Sequence, residues 1–221
     1  MMSTSTKYFV LVAGNIGAGK TTLTSRLAER LDWEVAYETV DNNPFLADFY
    51  RDMAAWAFHL QIYFLGDRAA QHLRMARLPG SAIIDRSIYE DAHIFARALY
   101  DMGNIGEREY RAYLRLFEIV VDSLPRPDLL IYLKAPIETL LERIHSRGRG
   151  IETGITAEYL TRLDAYYREW LSGFDACPVL TVPADNLNFV TNERHISIIV
   201  ERIQEKLAGK EEVVFPDLDD G

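Results

Sequence analysis

Eight residues, Gly14-Asn15-Ile16-Gly17-Ala18-Gly19-Lys20-Thr21, carry glycines, an amine and a hydroxyl at the spacing G-x-x-x-x-G-K-[ST]. That spacing builds a cradle for phosphate. The glycines let backbone N–H groups turn toward an anion without a Cβ in the way. A helix opening at Lys20 and running through Thr22 adds partial positive charge. Lys20 reaches the β- and γ-phosphate oxygens, and Thr21 offers its hydroxyl to Mg²⁺. The motif implies a bound nucleoside triphosphate but says nothing of what accepts the phosphoryl group.

Three further residues bear on the acceptor. Asp85 ends the apolar run "SAIID" (81–85), where a carboxylate suits a magnesium shell. Arg86 follows it and can stabilise charge on a transferred group. Glu38 closes "EVAYE" (34–38) and is expected near the cradle. Hydrolysis coupled to switching, phosphorylation of a monophosphate and phosphorylation of a neutral alcohol are all open. No N-K-x-D type segment supports a switch GTPase. A carboxylate such as Glu38 repels an acceptor phosphate, whereas an alcohol kinase gains from a base that takes the hydroxyl proton.

These residues need elements to hold them. "KYFVLVAG" (7–14) reads as a buried strand, with a helix from about Lys20 to Leu31 after it. "EVAYE" is a second strand, leading to the turn-rich "TVDNNPF" (39–45). A long helical pattern runs from Met53 to Leu78. After the strand at 81–85, Ser87 and Glu90 form a capping-box pattern, so Asp85 and Arg86 sit between strand end and helix. "PDLLIYLK" (127–134) is a fourth strand, with Pro136 starting a helix to about Ser146. Helices are expected at about 156–172 and 193–208, around a strand near 178–182. Strands alternating with helices imply an α/β fold: a five-stranded parallel sheet flanked by helices on both sides, with ligands at the strands' carboxyl ends. One domain covers 1–208, and 209–221 is an acidic, loosely attached tail.

The 221 residues carry a net charge of −9, which argues against a nucleic-acid partner. No apolar run approaches the ~20 residues of a membrane span. The opening "MMSTSTKYF" has no apolar signal core, and Cys177 is the one cysteine, as a reducing cytoplasm would suit.

Five stretches, in order, carry a family resemblance: "GNIGAGKTTL" (14–23), "YETVDNNPFLADFY" (37–50), "FHLQIYFLGDR" (58–68), "IIDRSIYEDAHIF" (83–95) and "RIHSRGRGIETGITAEYL" (143–160). With them the chain resembles the deoxyribonucleoside kinases, especially their bacterial deoxyadenosine/deoxyguanosine kinase branch. The resemblance implies a P-loop kinase fold with a short Arg-rich lid at about 143–154. It implies ATP-dependent phosphorylation of a deoxynucleoside 5′-hydroxyl, most readily deoxyadenosine or deoxyguanosine and also deoxycytidine, with Mg²⁺.

By similarity Glu38 is the general base, Arg86 its partner, and Asp85 a magnesium group. Tyr50 and Glu152 hold the sugar 3′-hydroxyl. Gln61 bonds the base, Arg68 and Asp91 form a second base-contacting pair, and Trp56 and Phe95 wall the pocket, although apolar residues at helical spacing are more often core. Arg143, Arg147 and Arg149 belong to the lid, 143 and 147 lying one turn apart and able to face one anion. The loop "PADNLNFV" (183–190) occupies the ATP adenine position. A dimer through 53–78 and 107–122 follows from the family habit, as a homodimer or with a homologous chain. The alternatives are a thymidylate-type monophosphate kinase and a catalytically silent nucleotide-binding subunit. Thr39 stands where many relatives have Pro, and Asp-Arg-Ser replaces the Glu-Arg-Ser of animal members.

Overall fold

A computed structural model describes residues 6–37, 43–148 and 154–215. Its centre is a parallel sheet in the order β2-β3-β1-β4-β5. The strands are β1 (Phe9–Gly14), β2 (Glu34–Ala36), β3 (Ala82–Asp85), β4 (Leu129–Lys134) and β5 (Val179–Pro183). β1 pairs with β3 on one side, Val12 opposite Asp85, and with β4 on the other, Gly14 opposite Leu133. The chain leaves β1 toward one edge of the sheet and leaves β3 toward the other edge. Loops diverging from neighbouring strand ends open a crevice there. The cradle and Asp85-Arg86 flank that crevice.

Successive side chains of a strand face opposite sides of a sheet, and β1 is buried on both. Phe9, Leu11 and Ala13 pack with α3 (Met53–Ala76), α6 (Glu107–Asp122) and α8 (Ala157–Gly173). Val10 and Val12 pack with α1 (Lys20–Leu31), α7 (Ile137–Arg147) and α9 (Glu193–Leu207). Val10, Leu11 and Val12 are wholly buried, which explains an uninterrupted apolar run where a half-exposed strand would alternate. Of the acidic tail, Val213 and Phe215 rest on the second cluster, while Val214 is exposed.

The structure departs from the sequence reading in four places. β2 ends at Ala36 rather than 38. A short helix, α2 (Leu46–Arg51), follows the turn-rich segment, closing a small cluster in which Phe49 packs with Leu60 and Leu99. Pro136 caps α7 from outside, with the extended ψ of 151°, instead of being its first residue. The helix after Ser87 is also not uniform. It runs as α4 (Ile88–Glu90), then a π-helical segment at Asp91–Ala96, then α5 (Arg97–Asp101).

Candidate active site

The cradle joins β1 to α1, and its backbone requires glycine. Gly17 has φ +83°, and a Cβ there would lie 2.7 Å from the carbonyl oxygen of Leu140. Gly19 caps α1 in the left-handed region at φ +95°, against the ring of Phe189. Asn15 is buried; its Oδ1 accepts from the N–H of Ile16 at 2.8 Å, and the Ala18 N–H donates to the Asn15 carbonyl at 3.2 Å. Lys20 is buried with its Nζ donating to the carbonyls of Gly14 at 2.7 Å and Asn15 at 3.0 Å. Thr21 and Thr22 lie exposed in the first turn of α1. The loop thus holds its own cation on carbonyl oxygens, the place a phosphate oxygen would compete for.

Thr21 Oγ1 donates to Asp85 Oδ2 at 2.6 Å, which brings a hydroxyl and a carboxylate together across the crevice. Hard oxygen donors of this kind suit Mg²⁺, which takes one or two protein oxygens and completes its shell with phosphate and water. Among the described residues no group of three His, Cys, Asp or Glu is placed to hold a metal. Thr21 and Asp85 supply one hydroxyl and one carboxylate oxygen, a donor set that fits magnesium arriving with a triphosphate.

Arg86 leaves β3 at φ +75°, left-handed and unusual for a residue with a side chain. Its N–H donates to the Val12 carbonyl at 2.9 Å, so the backbone stays laddered to β1 while the chain turns. The turn lays the guanidinium 4.3 Å above the ring of Phe95, where cation–π attraction holds it. Phe95 and Asp91 both lie in the π-helical segment, a local widening that recurs at functional sites. Asp91 Oδ2 accepts from Arg68 Nε at 2.9 Å with both side chains almost wholly buried. Gln61 is buried seven residues earlier on α3, and its Oε1 meets no hydrogen-bond partner among the described residues. Trp56 is half-buried against Phe45 and His59, and Tyr50 is exposed beside Phe49.

Of the arginines expected in the lid, Arg143 and Arg147 fall within the described residues. Arg143 donates to the carbonyls of Ala18 at 3.2 Å and Ala184 at 2.7 Å, clasping the cradle to the loop that follows β5. Arg147 lies exposed in the last turn of α7. Glu38, Arg149 and Glu152 lie outside the described residues.

Sequence reading missed several neighbours. Tyr159, at the start of α8, has its phenol pKa raised by burial; the Arg86 charge opposes that and Tyr50 adds to it. It therefore stands within electrostatic reach of both. Tyr113 on α6 is wholly buried near Asp91 and Arg68, its pKa driven well up by burial first and the Asp91 charge second. Glu90 reads in sequence as a capping residue, and nothing marks Tyr167, yet both touch the underside of the cradle. Helix-interior tyrosines give no pattern that separates them from ordinary core.

Known proteins place this arrangement. A family model described as deoxynucleoside kinase matches residues 10–208. The chain is 42% identical over 196 residues to a deoxyadenosine/deoxycytidine kinase of Bacillus subtilis, covering 88% of this chain and 90% of that one. It is 34% identical over 207 residues to a deoxyguanosine kinase of Lactobacillus acidophilus, covering 90% of each. A deoxyadenosine kinase from M. mycoides, solved with its products dCMP and a flexible dCDP, superposes with a TM-score of 0.78 at 30% identity, over 89% of this chain and 99% of that one. The same kinase was solved with dATP, again at a TM-score of 0.78, with 29% identity and the same coverage. These relatives lend no support to the monophosphate-kinase or silent-subunit readings. With the cradle, the Asp85-Arg86 strand end and the buried Arg68–Asp91 pair in place, the chain belongs to the deoxynucleoside kinase family and is a phosphotransferase.

Proposed function

We propose that the chain moves the γ-phosphoryl of ATP onto the 5′-hydroxyl of deoxyadenosine or deoxyguanosine, with deoxycytidine as a further acceptor. The observation that carries the choice of base is the buried Gln61 with an unsatisfied Oε1, on the same helix as the buried Arg68–Asp91 pair. A buried polar atom without a protein partner is rare and points to a ligand donor. An exocyclic amine supplies one. The Arg68–Asp91 pair offers both donor and acceptor to the remaining edge, and the named relatives act on deoxyadenosine, deoxycytidine and deoxyguanosine.

On this reading ATP sits in the cradle, and Lys20 leaves its two carbonyls for the phosphate oxygens. Thr21 and Asp85 would hold Mg²⁺, which supplies charge neutralisation on the phosphates. Arg86, braced on Phe95, faces the transferred group. Glu38 takes the hydroxyl proton, while Tyr50 and Glu152 orient the sugar. Arg143 steadies the cradle against the 183–190 loop, and Arg147 and Arg149 close over the triphosphate.

The chain works in the cytoplasm as a dimer on the same reading. Leu116 and Ile119, a turn apart on α6, are 41% and 62% exposed, an apolar strip that a second copy would cover. Residues 1–208 act as one kinase domain.

A phosphate-transfer panel over deoxyadenosine, deoxyguanosine, deoxycytidine, thymidine and dTMP tests the assignment. Transfer to the two purine nucleosides, with weaker transfer to deoxycytidine, is expected. Preferential transfer to thymidine or dTMP would overturn it.

A further inference from the structure

Glu90 is completely buried, and the proposed chemistry gives it no contact with substrate. Its two oxygens serve different parts of the molecule. Oε2 accepts from the N–H of Ser87 at 2.7 Å and the Ser87 hydroxyl at 3.1 Å, the reciprocal half of the cap on α4. Oε1 does nothing for that cap. It accepts from the N–H of Gly14 in the cradle at 3.1 Å and from the hydroxyl of Tyr167 on α8 at 2.6 Å. Tyr167 is wholly buried and its hydroxyl also lies 2.9 Å from the Gly14 carbonyl, the one that holds Lys20. Burial keeps this phenol pKa well above its ordinary value, so it remains a neutral donor.

We propose that Glu90 and Tyr167 are a positioning pair that fixes the phosphate cradle and the Arg86 turn relative to one another, anchoring both to α8. The chain contains its own comparison. At the start of α6, Glu109 makes the same return bond, to the N–H of Gly106 at 2.9 Å, on the exposed surface. Capping alone needs no burial. Burying a carboxylate costs several kcal/mol unless it is well bonded, and Glu90 meets four donors, matching its roughly four lone-pair directions. Two of those donors belong to Ser87, which immediately follows the strained φ of Arg86. One belongs to Gly14. A single side chain therefore links the group that faces the transferred phosphoryl to the loop that holds it. Asn15 adds a second tie between the cradle and α8, its Nδ2 donating to the Leu160 carbonyl at 3.0 Å.

Glu90→Gln is the decisive variant, because an amide turns one half of the carboxylate into a donor facing donors. Losing hydrogen bonds to a buried charge corresponds to roughly a ten- to hundredfold loss in rate or affinity. Glu90→Gln is expected to lower kcat/KM by that factor, in both kcat and the KM for ATP. Tyr167→Phe keeps the charge and removes one donor. It should raise the KM for ATP roughly three- to tenfold and leave the nucleoside KM alone. Glu109→Gln, the exposed counterpart, should lower the melting temperature slightly and move neither kinetic constant.

The double variant should be no worse than Glu90→Gln. A folded Glu90→Gln enzyme with wild-type kcat and KM for ATP would overturn the proposal, as would losses that simply add in the double variant. Should Glu90→Gln fail to fold, an unchanged KM for ATP in Tyr167→Phe would overturn it equally. The inference rests on the proposed transfer reaction. It fails separately when the wild-type enzyme phosphorylates its deoxynucleoside and both variants match it.

Discussion

At the residue scale, position Gly17 shows how closely the cradle is built. Its φ of +83° and the 2.7 Å gap between a hypothetical Cβ and the Leu140 carbonyl exclude any side chain without movement of α7. Gly17→Ala should therefore destabilise the protein by about 1–3 kcal/mol from backbone strain alone, read as a lower melting temperature. It should raise the KM for ATP by about tenfold if the strain is relieved by reshaping the loop. Glycines and Lys20 were legible because their spacing is itself the chemistry. Glu90 was legible only in part. The sequence shows its offset from Ser87, but not that its second oxygen reaches Gly14, 76 residues away. The spacing of Arg143 and Arg147 suits a shared anion, but it does not reveal that Arg143 also ties the Ala18 carbonyl to that of Ala184, 41 residues beyond it.

At the scale of elements, apolar periodicity and turn residues located the strands and long helices to within a few positions. β1, β3 and β4 are apolar runs bounded by polar or turn residues, and nothing competes with the strand reading. The order β2-β3-β1-β4-β5 was not legible. It comes from crossovers on opposite faces, which local pattern does not encode. The π-helical segment at Asp91–Ala96 was equally hidden, since its residues fit an ordinary helix. Its consequence is functional: Asp91 meets Arg68 and Phe95 lies under Arg86 from within one widened turn. α2 escaped because Pro44 and the preceding asparagines mask a six-residue helix held mostly by Phe49 against α3.

At the scale of the whole molecule, one buried histidine couples stability to pH. His72 on α3 is 2% exposed, stacks edge-on against Phe9 of β1 at 4.7 Å, and contacts the Pro125 carbonyl at 2.8 Å through Nε2. A carbonyl only accepts, so Nε2 carries the proton. Burial lowers the folded pKa below the ordinary 6.5, an effect larger than the opposing pull of that carbonyl. The unfolded chain thus binds a proton at a higher pH than the folded one, and stability falls as pH drops below about 6.5. Urea unfolding at pH 7.5 and pH 5.5 should show a greater loss for wild type than for His72→Gln, and equal losses would remove His72 from the account. The ring joins α3, the loop before β4 and the first residue of β1, at the end of the strand opposite the cradle.

On the proposed mechanism Glu38 takes the proton from an uncharged sugar hydroxyl while the cradle and Arg86 hold the phosphoryl group. The most direct measurement is single-turnover phosphoryl transfer from ATP to deoxyadenosine by Glu38→Gln, with nucleoside binding measured on the same preparation. Near-normal binding is expected, with transfer slowed by about 10²–10⁴-fold, as for a lost general base. Binding retained together with transfer at the wild-type rate would contradict it.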